Sequence, residues 1–250
     1  MNFIFIVYFF IIGLVFGSFF NVVGFRIPKQ TLLQHQRSHC PSCGNQLSWQ
    51  DLIPVLSYLH LKGRCRYCRT SISIIYPFVE LFTGSLFAYS YYIFGSTVEL
   101  FTVLLLISLF SIIFVSDMTY MYIPDKVLIT FFSLFFVLRM LHPTITWSNA
   151  FLGGISGIFL IGMIILLSKG GMGAGDMKLF GIIGFAMGIE GMMVSFFLAV
   201  ISGACLSMAF LVSGKVARKQ PIPFGPFIIF GTLTAYFYSD KILTWYIAFF

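Results

Sequence analysis

The chain is 250 residues long, 59% hydrophobic and only 9% charged, with a formal net charge of +7. About a quarter of an ordinary soluble domain is charged, so this composition excludes a water-soluble globular fold and points to an all-α polytopic membrane protein. The positive balance does not mark a nucleic-acid binder. The basic residues gather in a few interhelical loops, as the preference of Lys and Arg for the cytosolic side of a membrane requires.

Taken in chain order, eight apolar stretches read as transmembrane helices: about 3–24, 73–94, 98–116, 126–141, 149–168, 177–190, 191–213 and 223–239. A span needs ~20 apolar residues. No Lys or Arg precedes Arg26, so the first stretch reads as a retained span and not as a cleaved signal. The stretches at 126–141 and 177–190 are short, and the second carries Gly181, Gly184 and Gly188, a pattern of helices that border a cavity. The turn after Glu190 is tight enough to leave a seven-span count open. The apolar tail 242–250 is too short to cross and reads as interfacial. With the N-terminus outside, only Arg139 and Lys241 of the 15 basic residues fall on the external side, and eight spans return the C-terminus there too.

The polar segment 26–72 separates a first helix, 1–25, from a membrane domain over 73–250. A segment this small buries little core and needs a staple. Cys40-Pro-Ser-Cys43 and Cys65-Arg-Tyr-Cys68 provide one: each pair can grip an ion with two thiolates, and together they complete the tetrahedron of a structural zinc ribbon. Lys62, Arg64, Arg66 and Arg69 crowd the second pair and would offset the thiolate charge. Two disulfides are the competing reading, disfavoured on the cytosolic side. Cys205, alone in an apolar stretch, reads as core packing.

Carboxylates beside hydrocarbon are costly and usually have a task. Asp117 follows an apolar stretch, at a helix end where the dipole opposes a negative charge. Asp176 precedes one, in Gly171-Met-Gly-Ala-Gly-Asp176. Its plain reading is a helix cap, but Gly170, Gly171, Gly173 and Gly175 would let an extended substrate strand approach its backbone. Two such acids can share a proton and activate water for amide hydrolysis. Lys178, two residues on, would tune the site or meet lipid phosphates. Asp125, after Pro124, reads as a helix N-cap. Glu80, inside the second span, should face protein or a cavity; catalysis, substrate binding and helix docking all stay open for it. A transporter would place its acids near the midplane within an inverted repeat, and no repeat is visible. A zinc ribbon serving a non-catalytic docking protein also remains open.

Several short motifs, in order and at these spacings, carry a specific resemblance: Gly17 to Val23 (GSFFNVV) then Arg26-Ile27-Pro28, Ser38 to Gly44 (SHCPSCG), Trp49 to Tyr58 (WQDLIPVLSY), Lys62 to Cys68 (KGRCRYC), Tyr76 to Glu80 (YPFVE), Asp117 with Ile123-Pro124-Asp125, Gly171 to Leu179 (GMGAGDMKL) and Pro223 to Pro226 (PFGP). Over nearly its full length the chain resembles the type IV prepilin leader peptidases. That resemblance implies a cell-membrane aspartyl peptidase with a cytosol-facing site. Such enzymes cut a short basic leader from prepilins or pseudopilins just after a glycine. The resemblance also implies Asp117 and Asp176 as the catalytic pair and Cys40, Cys43, Cys65 and Cys68 as metal ligands; Gly173, Gly175 and Lys178 read, from the residues alone, as support for the catalytic loop. Many members methylate the exposed N-terminal residue with S-adenosylmethionine, and this activity rests on the resemblance alone, because no nucleotide-binding glycine fingerprint follows a strand. The compact chain is similar to the branch that processes competence pseudopilins of Gram-positive bacteria, so its partners would be pilins and the lipid bilayer, with no direct nucleic-acid contact. One departure is Arg69, where many members have glycine.

Overall fold

The computed structural model describes residues 3–31, 38–168, 171–213 and 222–248. Arg37, Lys169, Gly170 and the basic residues of 214–221 lie outside the described residues. Among the described residues the chain is helical, and its only β features are two isolated bridges, His39 with Gln46 and Arg64 with Ser71. It divides into two compact units, Met1–Thr119 and Tyr120–Phe250.

The first unit holds α1 (Phe3–Arg26), a 3-10 turn (Trp49–Leu52), the short α2 (Leu56–His60), α3 (Ile75–Phe94) and α4 (Val98–Tyr120). Helix α1 is apolar on every side, so hydropathy alone cannot choose its packing face; small residues do. A Cβ on Gly17 would stand 2.8 Å from the Glu80 Cα, and one on Gly13 2.7 Å from the Gly84 Cα. These glycines let the backbones of α1 and α3 touch. Asn21 donates to the Tyr76 carbonyl at 3.1 Å, and the Thr83 and Ser111 hydroxyls meet at 2.8 Å between α3 and α4. Helix α4 runs past the end that its hydropathy suggests, through Tyr120. Asp117 therefore lies in its last turn instead of beyond it.

The second unit holds α5 (Asp125–Leu141), α6 (Trp147–Leu167), α7 (Ala174–Val212) and α8 (Gly225–Ile247). Helix α8 continues through most of the tail expected at the interface. Helix α7 is 39 residues long but is broken at Gly188, whose φ of +78° and ψ of −179° suit glycine alone. The rings of Phe180 and Phe196 lie 5.9 Å apart. In a straight helix 16 residues would separate them by ~24 Å, so the chain turns back on itself at Gly188. The two stretches read from the sequence are two arms of a helical hairpin, with the reversal at Gly188 and not at Glu190. The first arm, 174–187, is only ~21 Å long, shorter than the ~30 Å hydrocarbon core.

This reversal frees backbone groups that neighbouring helices satisfy. The Ile189 N–H donates to Asn149 Oδ1 of α6 at 3.1 Å. Arg139 of α5 donates through Nη2 to the carbonyls of Phe185 (2.9 Å) and Ala186 (3.1 Å), whose helical partners would have been the amides of Ile189 and Glu190. Its Nη1 reaches the Ile145 carbonyl, and the guanidinium lies 5.1 Å from the Phe185 ring centre. Arg139 is buried. The negative end of the first arm's dipole stands in for a counter-ion.

Among the described residues four helices, Phe3–Arg26, Val98–Tyr120, Trp147–Leu167 and Ala174–Val212, are long and apolar enough to cross a membrane. The chain is a multi-pass membrane protein.

Candidate metal centre and carboxylate sites

The two cysteine pairs are built alike. In the first, Cys40 N–H donates to the Asn45 carbonyl and Gly44 N–H to the Cys40 carbonyl, both at 2.9 Å. In the second, Cys65 N–H donates to Thr70 (2.9 Å) and Arg69 N–H to Cys65 (3.0 Å). The residue after each second cysteine must turn left-handed: Gly44 has φ +72° and Arg69 φ +61°. Arg69 therefore keeps the geometry of a glycine at this position.

The four sulfurs lie within 4.8 Å of one another and none is bonded to another, which removes the disulfide reading. A tetrahedral four-thiolate zinc site with ~2.3 Å bonds has edges of about 3.8 Å, and the Cys40 and Cys68 sulfurs are 3.8 Å apart. The donor set suits a soft or borderline cation such as Zn²⁺. Hydrogen bonds from the Thr70 side chain and backbone hold the Cys68 thiol down at about 6. Cys43 is pushed up to about 11, because burial and the neighbouring Cys68 and Cys40 sulfurs outweigh the favourable Asn45 N–H. Four sulfurs this close cannot all ionise without a cation between them.

Of the four basic residues around the second pair, Arg66 is committed elsewhere: its Nε lies 2.6 Å from Asp51 Oδ1. Asp51 Oδ2 in turn accepts from the Ser48 N–H (3.0 Å) and hydroxyl (2.8 Å), capping the 3-10 turn. Burial pushes the Asp51 carboxyl up, but these hydrogen bonds and the Arg66 charge hold it below the usual carboxylate range.

Glu80 is buried in α3, and its Oε2 accepts the backbone N–H of Val55 at 2.7 Å; the Ser18 hydroxyl of α1 also bonds to it. Of the three roles open to it, docking between segments is the one that these contacts describe.

Asp117 is buried in the last turn of α4. Asp176 is buried in the first turn of α7; Gly173 is the N-cap, and Asp176 Oδ2 accepts the Gly173 N–H at 3.2 Å. A Cβ on Gly175 would lie 2.9 Å from the Ile123 Cβ, so this glycine lets the loop before α5 close onto the start of α7. Lys178 pairs with Asp125 at 2.7 Å, with each side chain about half exposed. Such a pair contributes roughly 0–1 kcal/mol, and its geometry gives Lys178 a partner other than lipid phosphate. Asp125 sits one place inside the helix; the N-cap is Pro124. An apolar cleft of about 440 Å³ lies between α5, α6 and the first arm of α7, with Asp125 and Lys178 as its polar members.

Residues 11–94 match the Bacterial Peptidase A24 N-terminal domain, and residues 104–208 match the Type IV leader peptidase family. Over 238 residues the chain is 40% identical to the prepilin leader peptidase/N-methyltransferase of Bacillus subtilis (strain 168), covering 95% of this chain and 96% of that protein. The chain belongs to the type IV leader peptidase family. A similarly named protein of Vibrio cholerae serotype O1 is 33% identical over 250 residues, 95% of this chain and 98% of its own length. No solved structure matches. In this leader peptidase family member, the N-terminal match spans the whole cysteine module, and the second match contains both Asp117 and Asp176.

Proposed function

We propose that the chain cleaves the basic leader from type IV prepilins or pseudopilins after a glycine, with Asp117 and Asp176 as its catalytic pair. The observation that carries this reading is a match to a family member over 95% of the chain together with two buried carboxylates at helix ends, in a chain otherwise poor in charge. Ile123, in the loop after Asp117, packs against Gly175, beside Asp176. One carboxylate, ionised, takes a proton from the attacking water. The other, protonated, gives its proton to the peptide carbonyl oxygen and later to the leaving nitrogen. A prepilin joins a charged leader to an apolar helix, and its cut falls where water meets lipid. The site is therefore assigned to the cytosolic face, with the N-terminus external, 26–72 as a cytosolic metal module and eight spans in all. The metal is assigned as structural zinc, since a closed four-thiolate set leaves no open position for substrate.

The family name extends the reading to N-methylation of the new N-terminus, for which S-adenosylmethionine would supply the methyl group. The cleft between α5, α6 and α7 is lined by apolar side chains apart from Asp125 and Lys178. That is not the donor set a nucleoside asks for, and we derive no step through that cofactor.

The test is cleavage of a synthetic prepilin by purified Asp117→Asn and Asp176→Asn proteins. Each should lose about a thousandfold or more in rate while accumulating in the membrane with its metal. Near-parental cleavage by either variant removes the pair.

A further inference from the structure

Val55 stands at a backbone position that a β-branched residue avoids. Its φ is +62° and ψ −49°, and the Leu56 N–H reaches the Pro54 carbonyl at 2.6 Å, closing a three-residue γ-turn of the strained, positive-φ kind. Backbone outliers persist where their surroundings over-determine them. Here the restraint is visible: the Val55 N–H, pointing out of the turn, is taken by the buried carboxylate of Glu80 at 2.7 Å. Glu80 is itself anchored. It lies on the α3 face that Gly17 lets α1 approach, and Ser18 of α1 bonds to its carboxylate. Among the described residues no cation pairs with it, so its partners are an amide and a hydroxyl.

Upstream of Val55 the same segment is tied to the metal centre. Ser48, Asp51 and Arg66 form one hydrogen-bonded run, and Arg66 sits between the ligands Cys65 and Cys68. A continuous path thus leads from the second cysteine pair through Arg66, Asp51 and the 3-10 turn to Val55, and from there to Glu80 and helices α1 and α3.

We propose that Glu80 is a positioning residue: a hydrogen-bonding tether by which the membrane helices hold the metal module, with the strained turn at Val55 as the point of attachment. It acts through its acceptor oxygen and takes no part in proton transfer. The proposal rests on 38–72 as a metal module and not on the peptidase reading, so metal retention tests it without any cleavage assay.

The experiment uses the full-length chain purified in detergent and loaded with zinc. Release to a chromogenic chelator and tryptic cutting after Lys62, Arg64 and Arg69 are followed for Glu80→Ala and Glu80→Gln. Removing a supporting hydrogen bond from a metal site commonly costs tenfold or more in affinity. Glu80→Ala should therefore release zinc about tenfold faster and expose the tryptic sites. Glu80→Gln, whose amide oxygen can still accept the Val55 N–H, should stay within about twofold of the parent. Parental zinc release by Glu80→Ala overturns the tether. So does a Glu80→Gln protein as leaky as Glu80→Ala, since the charge and not the acceptor would then matter. If Glu80→Ala fails to accumulate, Glu80→Gln decides alone: accumulation with zinc release within about twofold of the parent supports the tether, and a Glu80→Gln protein that also fails to accumulate overturns it.

Discussion

Val55 in the first unit and Gly188 in the second both leave regular backbone with positive φ at the point where a helix begins, and the chain handles the two in opposite ways. At Gly188 the residue itself is permissive, so the conformation costs little. The difficulty is the orphaned amide of Ile189 and carbonyls of Phe185 and Ala186, which Asn149 and Arg139 satisfy from two neighbouring helices. At Val55 the amide has one partner, and the difficulty is the residue, whose branched side chain resists the turn that Glu80 holds. In a bilayer the first problem is the more serious. An unpaired backbone group has no water to fall back on, whereas a strained turn at the edge of a polar module can relax into solvent. Substitutions at the helical reversal should therefore be the more damaging.

The largest effect is expected from Gly188→Ala. The new Cβ would sit at a φ/ψ reserved for glycine and 2.9 Å from Asn149 Nδ2, displacing the side chain that accepts the Ile189 amide. Strain and lost pairing together should cost about 3 kcal/mol or more. Thermal unfolding of the purified protein and its yield in membranes measure this, and a parental melting temperature would show that the reversal can re-form elsewhere. Next comes Arg139→Met, which keeps the bulk of the side chain but leaves two buried carbonyls without donors. A loss of about 2 kcal/mol is expected, because relief from burying an unpaired guanidinium offsets part of the damage. Arg139→Lys should fall between Met and the parent. If Met stabilises the protein, the guanidinium is a burden carried for some purpose other than capping.

The contrast also explains what could be read from the sequence. The apolar stretches were legible because each is uninterrupted, and the cysteine module because its ligand spacing is local. Hydropathy ends α4 before Asp117, but a helix need not stop where hydropathy falls, and α4 runs on through Tyr120. Polarity points to a reversal after Glu190, whereas the conformational demand in α7 falls on Gly188. The role of Arg139 is not legible locally, because nothing near it in sequence announces that a broken helix two elements on, 46 residues away, offers it carbonyls. The bonds of Asp51 to Arg66 and of Val55 to Glu80, 15 and 25 residues apart, were hidden for the same reason.

The smallest effect should be the sharpest check on how the module tolerates strain. Arg69 occupies in the second cysteine pair the left-handed position that Gly44 fills in the first. For a residue with a Cβ that conformation costs roughly 1 kcal/mol or more, yet Arg69 also brings a positive charge beside thiolates. The two contributions separate if Arg69→Gly and Arg69→Ala are compared, because both remove the charge and only glycine removes the strain. Zinc release from Arg69→Gly should be about fivefold slower than from Arg69→Ala, the equivalent of ~1 kcal/mol. If strain outweighs charge, Arg69→Gly also holds zinc longer than the parent; if charge dominates, the parent holds it longest. Equal release from the Gly and Ala variants would mean that the second pair does not keep its left-handed turn once metal is bound, and that its likeness to the first is limited to the ligands.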